Sequence, residues 1–345
     1  MKKFTFPLLG LLTAALLFTA CGGKKKAFTS TSTGRAYEIL VVIDPALLER
    51  PAGQALYDGV LATNVPGLPQ PEPSFRRMYT SPKSFDSTLK LVRNIIIVDI
   101  QDIYSAPKMK YSKDVYSYPQ MVMTIQAPDE DSFAQYVTEN EQVIIDFFTH
   151  AEMNRQIAVL EEAHNDYVSL KVKSLFDCDV WVPAELSSNK VGENFFWAGS
   201  NTATADKNFV IYSFPYTDKN TFTKDYFVHK RDSVMKVNMP GRDEGMYMAT
   251  NALLTTVTPI TVQGEYTLEA RGLWEMHNDM MGGPYVAHMR YDRANGRIVV
   301  AEVFVYSPDT SKRDLIRGLE AALYTLRMPN ETGEVKIATP DVTNE

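Results

Sequence analysis

Apolar and polar positions alternate in short β-branched runs separated by stretches of helical spacing. YEILVVI, residues 37–43, predicts a strand that Asp44-Pro45 stops. ALLERPAGQALYDGVLAT follows as a helix, with Pro51 and Gly53 placing a kink or break in it. The Pro-rich VPGLPQPEP, residues 65–73, is a loop, FRRMYT a strand, and residues 84–93 a short helix capped by Ser84 with Phe85, Leu89 and Val92 on one face. NIIIVDI, residues 94–100, has the continuous apolar character of a buried strand, and QMVMTIQAP adds another. From Asp129 to about Phe176 the chain predicts helix, with the acids of PDEDSF suiting the positive end of the dipole. Met153, Ile157, Leu160, His164, Tyr167 and Leu170 form one apolar seam along it, with a bend expected near Thr149 to Glu152.

The second half is richer in strands: CDVWVP, FFWAGS, NFVIYSF, TPITVQGEYTLEARGLWEM, PYVAHMRY and RIVVAEVFVYS. The last two are joined by DRANG, whose Asn295-Gly296 is a hairpin signal. One helix falls near 221–237. The last runs from Lys312 to Leu326 and buries Leu315, Ile316, Leu319, Ala322, Leu323 and Leu326, with Asp309 or Ser311 as its cap. PALL at 45–48 echoes PAEL at 183–186, and RNIIIV at 93–98 echoes KNFVIY at 207–212. A duplication would need large changes in loop length, and convergent strand-then-helix composition explains the echo about as well. The fold class these patterns predict is α+β: mixed, largely antiparallel sheets with packed helices, and two halves that echo each other. The expected organisation is a signal peptide over 1–20, a flexible tether over 21–35, α+β halves over 36–175 and 176–328, and a disordered polar tail over 329–345.

The beginning of the chain carries an address. Met1, Lys2 and Lys3 precede an uncharged run from Phe4 to Ala20, interrupted by Pro7 and Gly10 and too short for a good membrane span. It ends in Thr19-Ala20-Cys21, which resembles the lipobox of bacterial lipoproteins, with Phe18 departing from the usual aliphatic residue. That resemblance implies cleavage before Cys21 and lipid attachment to it; the competing reading is an ordinary signal peptide cut near Ala20. AFTSTSTG, residues 27–34, is Ser/Thr-rich and fits a tether. Lys24–Lys26 stand where some envelope lipoproteins carry an acidic surface-export signal, so the expected position is the outer membrane, facing the periplasm.

Loss of Lys2 and Lys3 with the leader makes a net charge of −7 more negative still. An acidic exported chain without an Arg-rich helix is a poor nucleic-acid binder. With Cys21 lipidated, Cys178 is the remaining thiol, which excludes an intrachain disulfide and zinc sites built from several cysteines. Flanked by Asp177 and Asp179, Cys178 fits a strand residue packed as a small hydrophobe better than a nucleophile.

The chain lacks Gly-x-Ser-x-Gly, His-Glu-x-x-His and Gly-rich phosphate-binding motifs. His164 fits a core position on the helical seam. The densest polar and aromatic collection is RGLWEMHNDMMGGPY, residues 271–285, where Arg271, Trp274, Glu275, His277 and Asp279 make a candidate binding loop. A turn between two strands, with Trp and Met covering the core, explains the same residues. Met276, His277, Met280 and Met281 suggest soft copper ligands, but without a Met-x-Met run or a nearby Cys they fit core filling better, and no cofactor or metal is expected.

GRAYEILVVID, RNIIIVDI, GGPYVAHMRYD and VFVYSPDTSKRDLIRGLEAALYTL, together with the lipobox, resemble the Bacteroidota lipoproteins grouped as domain-of-unknown-function family 4837, over roughly residues 35–327. The resemblance implies the envelope address and assigns no catalytic residue. The expected function is a non-enzymatic binding or structural component of the envelope, anchored in the membrane by its N-terminal lipid. Its expected partner is an envelope protein, a glycan or a lipid, and not a nucleic acid. The alternative is an envelope hydrolase acting on glycan or peptide material, with its cleft near 271–285.

Overall fold

The computed structural model describes residues 30–340 and 342–344. The leader, Cys21 and most of the expected tether lie outside the described residues.

In the first half, β1 (Glu38–Val42) leads through α1 (Pro45–Leu48) and α2 (Pro51–Gln54) to β2 (Arg76–Thr80). There follow β3 (Asn94–Ile100), β4 (Lys108–Lys113), β5 (Met121–Ala127), α3 (Glu130–Glu139), α4 (Glu141–Glu162) and α5 (Asp166–Phe176). The second half contains β6 (Ser188–Gly192), β7 (Phe195–Gly199), β8 (Asp206–Pro215), α6 (Lys224–Asn238), β9 (Tyr247–Thr250), β10 (Thr256–Val262), β11 (Glu265–His277), β12 (Gly282–Asp292) and β13 (Arg297–Tyr306). Helix α7 (Arg313–Leu323) and the short β14 (Thr343–Asn344) complete the chain.

The architecture is α+β, with largely antiparallel sheets. A six-stranded sheet has the order β14-β4-β5-β3-β1-β2; an eight-stranded sheet runs β10-β11-β12-β13-β8-β7-β6, with β9 beside β11. Parallel pairing is confined to the first sheet, where β2, β1, β3 and β5 run together and the extended chain returns between them through helices and loops. The second sheet is antiparallel at every pairing. The two echoing strand sequences therefore sit in sheets of different connection.

Both faces of the second sheet are covered, which is why β8, β12 and β13 are buried almost residue after residue instead of alternating. One face packs Phe196, Ile211, Val286, Val299 and Val303 against α5 and α7. The other packs Val210, Tyr212, Trp274, Tyr285 and Phe304 against Phe227 and Met235 of α6.

Several predicted elements fall elsewhere. Residues 84–93 form no α-helix, only 3-10 turns at Pro82–Ser84 and Leu89–Leu91. Ser81, not Ser84, accepts the capping N–H, and Asp86 Oδ1 accepts from the amides of Thr88 and Leu89, tying the chain into a turn. The long helix breaks at Asn140 and at 163–165, not near Thr149 to Glu152, which lie buried in α4. The second break turns the seam: Met153, Ile157 and Leu160 are buried, but Tyr167 and Leu170 are exposed, and Val168 and Val172 point inward instead. Because Val168, Val172 and Phe176 enter the second core, α5 packs with the second half although the expected boundary was 175/176. The run 258–276 is a hairpin, not one strand. Gln263 (φ 53°) and Gly264 (φ 82°) turn it with the two positive φ angles of a type I′ turn. The tail expected to be disordered packs on the body, Glu331 against Arg290 of the second half and the later residues on the first half. Ile337 exchanges two hydrogen bonds with the Asn154 side chain (2.9 and 2.8 Å), and β14 pairs with β4.

Helix α7 joins the halves. Ile316, Leu319, Ala322 and Leu323 enter the second core. Ala321 meets Met153 and Ile157 of α4. Its N-terminal amides find no cap in Asp309 or Ser311. Glu72, at the end of the Pro-rich loop, accepts from Lys312 N at 2.7 Å and Arg313 N at 3.0 Å. Arg313 donates to Pro73 O at 2.7 Å and Arg317 to Ser74 O at 2.8 Å. The Arg317 guanidinium also lies over Tyr37 at 4.7 Å.

A side chain distant in sequence thus caps this helix with a carboxylate, favoured at the positive end of the dipole. Glu72→Ala is expected to lower stability by about 1–2 kcal/mol, with Glu72→Gln losing less, as read from the urea midpoint. An unchanged midpoint in Glu72→Ala would show that the cap contributes nothing.

Candidate functional site

The residues proposed as a binding loop lie mostly within a strand. Arg271, Trp274, Glu275 and His277 all belong to β11, and only 278–281 form the turn into β12. A strand sends successive side chains to opposite faces, so Trp274 turns away from Arg271, Glu275 and His277, which share a face but are spread over about 20 Å of strand. Trp274 is buried, and its Nε1 donates to Val305 O at 3.2 Å. Glu275, His277 and Asp279 are exposed; His277 stacks on Tyr247 with centroids 4.9 Å apart. Arg271 points to α7. The dense collection came from one polar face of a strand, the buried Trp274 of its other face and the turn that follows, which sequence spacing alone does not separate.

Arg271 instead anchors a buried charge cluster. Its guanidinium donates to Glu269 on the same strand (Nε to Oε1, 2.6 Å) and to both carboxylate oxygens of Glu320 on α7. His288 Nε2 stands 3.5 Å from Glu269 Oε2, and its ring meets Tyr324 edge-on at 4.8 Å. Burial pushes the Glu269 carboxyl up, but Arg271 and His288 pull it further down, leaving it well below the usual range. Burial likewise opposes the Arg271 charge, and Glu269 and Glu320 more than offset it.

On the opposite face of the sheet, Arg231 and Glu302 form a fully buried pair, Nε to Oε2 at 2.8 Å and Nη2 to Oε1 at 2.7 Å. Arg231 also donates to Thr250 Oγ1 at 2.9 Å and lies over Tyr285 at 4.3 Å. Burial pushes the Glu302 carboxyl up against the downward pull of Arg231. None of these pairs was identified from the sequence. The signal was present in VVAEVFV, where a single Glu interrupts a continuous apolar run and requires a buried cation.

Cys178 is buried, with Sγ 3.2 Å from Phe176 O and 3.7 Å from Met328 Sδ. Burial raises its thiol to about 12, so it stays protonated and packs as a small hydrophobe, though outside a regular strand. His164 occupies the break after α4, half-buried, stacked on Trp181 with centroids 5.8 Å apart.

Two adjoining open clefts share Glu265, Asn330 and Glu331, and neither takes a residue from 271–285. The first, about 350 Å³, is also lined by Tyr291 and Arg293. Beside it is a cluster of aromatic rings: Tyr291 meets Tyr216 at 4.6 Å, and Phe222 meets Tyr266 at 5.3 Å. The cleft offers carboxylates, an amide, a guanidinium and a tyrosine, groups that hydrogen-bond and stack. Among the described residues, no group of three or more His, Cys, Asp or Glu is placed to hold a metal ion.

The buried cluster makes a testable statement about stability. Replacing Arg271 with Met leaves Glu269 and Glu320 buried without their cation, at an expected cost of about 3–5 kcal/mol at neutral pH. In the wild type the depressed Glu269 pKa contributes stability above its unfolded value of ~4.3 and loses it as pH falls. In Arg271→Met burial dominates and Glu269 titrates upward, so the deficit should shrink as pH drops from 7 towards 4. Urea melts across that range check the sign; a deficit that stays constant or grows on acidification contradicts it.

No curated protein matches the chain. Two family models do, and each covers one of the halves described above. Their junction at 161–165 coincides with the break between α4 and α5, not with the boundary at 175/176. The resemblance to domain-of-unknown-function family 4837 holds for the second half, and the first half matches a separate family. Residues 32–161 match the model of one domain of unknown function, DUF8532, and residues 165–325 match that of another, DUF4837.

Proposed function

We propose that this chain is a cell-envelope lipoprotein, tethered through Cys21, whose folded body is a non-enzymatic binding or structural component. The observation that carries the reading is the order of residues at the start of the chain: Lys2-Lys3, an uncharged apolar run, then Thr19-Ala20-Cys21. Among the described residues no helix is long and apolar enough to cross a membrane, which leaves a lipid as a suitable means of attachment. Lys24–Lys26, in place of an acidic surface-export run, favour a position facing the periplasm.

A binding role is supported by the chemistry of the groups that could react. The perturbed acids Glu269 and Glu302 are held by Arg271 and Arg231 inside the body. The open cleft instead presents Tyr291, Glu265, Arg293 and Asn330, which suit a polar ligand such as a glycan or a partner protein's surface.

The anchor is tested by fractionating cells that express the full chain or Cys21→Ser. The wild type is expected in the membrane pellet, with a mature mass that includes acyl chains on Cys21. Cys21→Ser is expected to lose both the acyl mass and most of its sedimentation. Equal sedimentation of the two, or a mature N-terminus beyond residue 21, would overturn the reading.

A further inference from the structure

We infer that the end of the first sheet holding Val115, Tyr116 and Tyr118 faces the lipid surface, so the body sits on the membrane in one orientation. The inference rests on the Cys21 anchor proposed above, and the geometry of the tether carries it from there.

The chain is clamped to the body at Ser30–Thr33. Tyr118 N donates to Ser30 O at 2.9 Å, and Ser32 N donates to Tyr118 O at 3.0 Å. Thr33 N then donates to Leu91 O at 2.7 Å, and Arg93 N to Thr33 O at 3.0 Å. Residues 31 and 33 bridge in parallel to Tyr118 and Val92. Nine residue steps therefore separate Cys21 from this clamp. That length of chain spans at most about 30 Å in any conformation.

That clamp fixes which end of the body is held close. β1, β3 and β5 run parallel, with Glu38, Asn94 and Met121 at their starts. Antiparallel β4 ends there, with Lys113 opposite Met121. Ser30–Thr33 and the 114–120 loop therefore share the starting end of the strands. The loop connecting β3 to β4 stands at the other end, about 20 Å away along the seven residues of β3.

The tethered end has the composition of a membrane-facing surface. Tyr118 is 58 % exposed and Val115 46 %. The Lys90 ammonium lies 5.5 Å from the rings of both Phe85 and Tyr116, holding a cation beside an aromatic pair. Arg35 and Lys113 are exposed at the same end. The nearby Asp114 and Glu38 direct carboxylate oxygens to backbone amides, of Gln120 at 2.8 Å and Arg35 at 3.4 Å. The far end is the more acidic: Asp102 lies in its loop and Asp129, Glu130 and Asp131 where β5 passes into α3, against Lys83, Lys108 and Arg50, the last paired with Glu130 at 2.9 Å. An anionic surface attracts the first end and repels the second, while tyrosine suits the headgroup region. Lys24–Lys26, on the tether itself, add to the attraction.

The test uses the full mature chain in vesicles of phosphatidylethanolamine and phosphatidylglycerol, with nitroxide quenchers on a fraction of the headgroups. An environment-sensitive fluorophore is attached at Val115→Cys or at Ile103→Cys, which is 75 % exposed in the far loop. Cys178 is fully buried and does not compete for label in the folded protein. The expected result is several-fold stronger quenching at 115 than at 103, and a smaller difference in Lys90→Glu/Lys113→Glu. Equal quenching, or stronger quenching at 103, on protein that remains bound to the vesicles overturns the orientation alone. Failure of the wild type to remain bound, or retention of Cys21→Ser to the same extent, overturns the anchor and this inference with it.

Discussion

The capture of α7 by groups from both halves is the constraint on which the rest of the structure depends. A helix that buries Ile316, Leu319, Ala322 and Leu323 in one core still leaves its first amides and its basic face unsatisfied. Here Glu72 accepts the amides, the carbonyls of Pro73 and Ser74 take Arg313 and Arg317, and Glu320 engages Arg271 on β11. The turn of chain that supplies these partners also inserts Leu68 against the second core. Two domains with separate sheets and separate family matches are thereby joined through one element. The returning tail strengthens the junction, since Ile337 packs with Ala321, Met153 and Ile157.

The buried charges serve position more than net stability. Taking an ion pair out of water costs about as much as the pair returns, so Arg231–Glu302 and the Arg271 cluster are weak sources of folding energy. They are demanding about geometry, however. Glu302 can sit among apolar strand residues only if α6 brings Arg231 to it, and Glu320 faces the second sheet only if α7 lies in one register. These pairs select one packing of α6 and α7 from several that the apolar surfaces would allow.

Much of this was legible in the sequence where local pattern and burial agree. NIIIVDI predicts β3 residue for residue, and the apolar face of α7 follows from its spacing, with Leu315 only partly buried. Legibility failed where the decisive partner is distant. Nothing near residue 312 indicates that Glu72 will cap the helix. Nothing in KMKYSK or SNKVG marks the strands β4 and β6, because a sparsely apolar strand is recruited by its neighbour more than by its own pattern. A three-residue break after α4 was enough to turn Tyr167 and Leu170 outward, since a helical seam is continuous only while the helix is. The candidate loop failed for a related reason: spacing shows that Arg271, Trp274 and His277 are close in sequence, but only the strand turns Trp274 to the opposite face and draws Arg271 and His277 apart along it.

Buried ion pairs, and exposed groups that hydrogen-bond and stack, fit the proposal of a lipid-anchored component that holds or recognises something at the envelope. Such a role requires the halves to behave as one unit, and that is the claim to test first. All three tryptophans, Trp181, Trp197 and Trp274, follow the junction, so tryptophan fluorescence reports the second half while far-ultraviolet circular dichroism reports both. Urea unfolding followed by the two signals on one sample is predicted to give a single coincident transition. Two separated transitions, with the tryptophans unfolding apart from a substantial part of the helical signal, would contradict the central place given to α7.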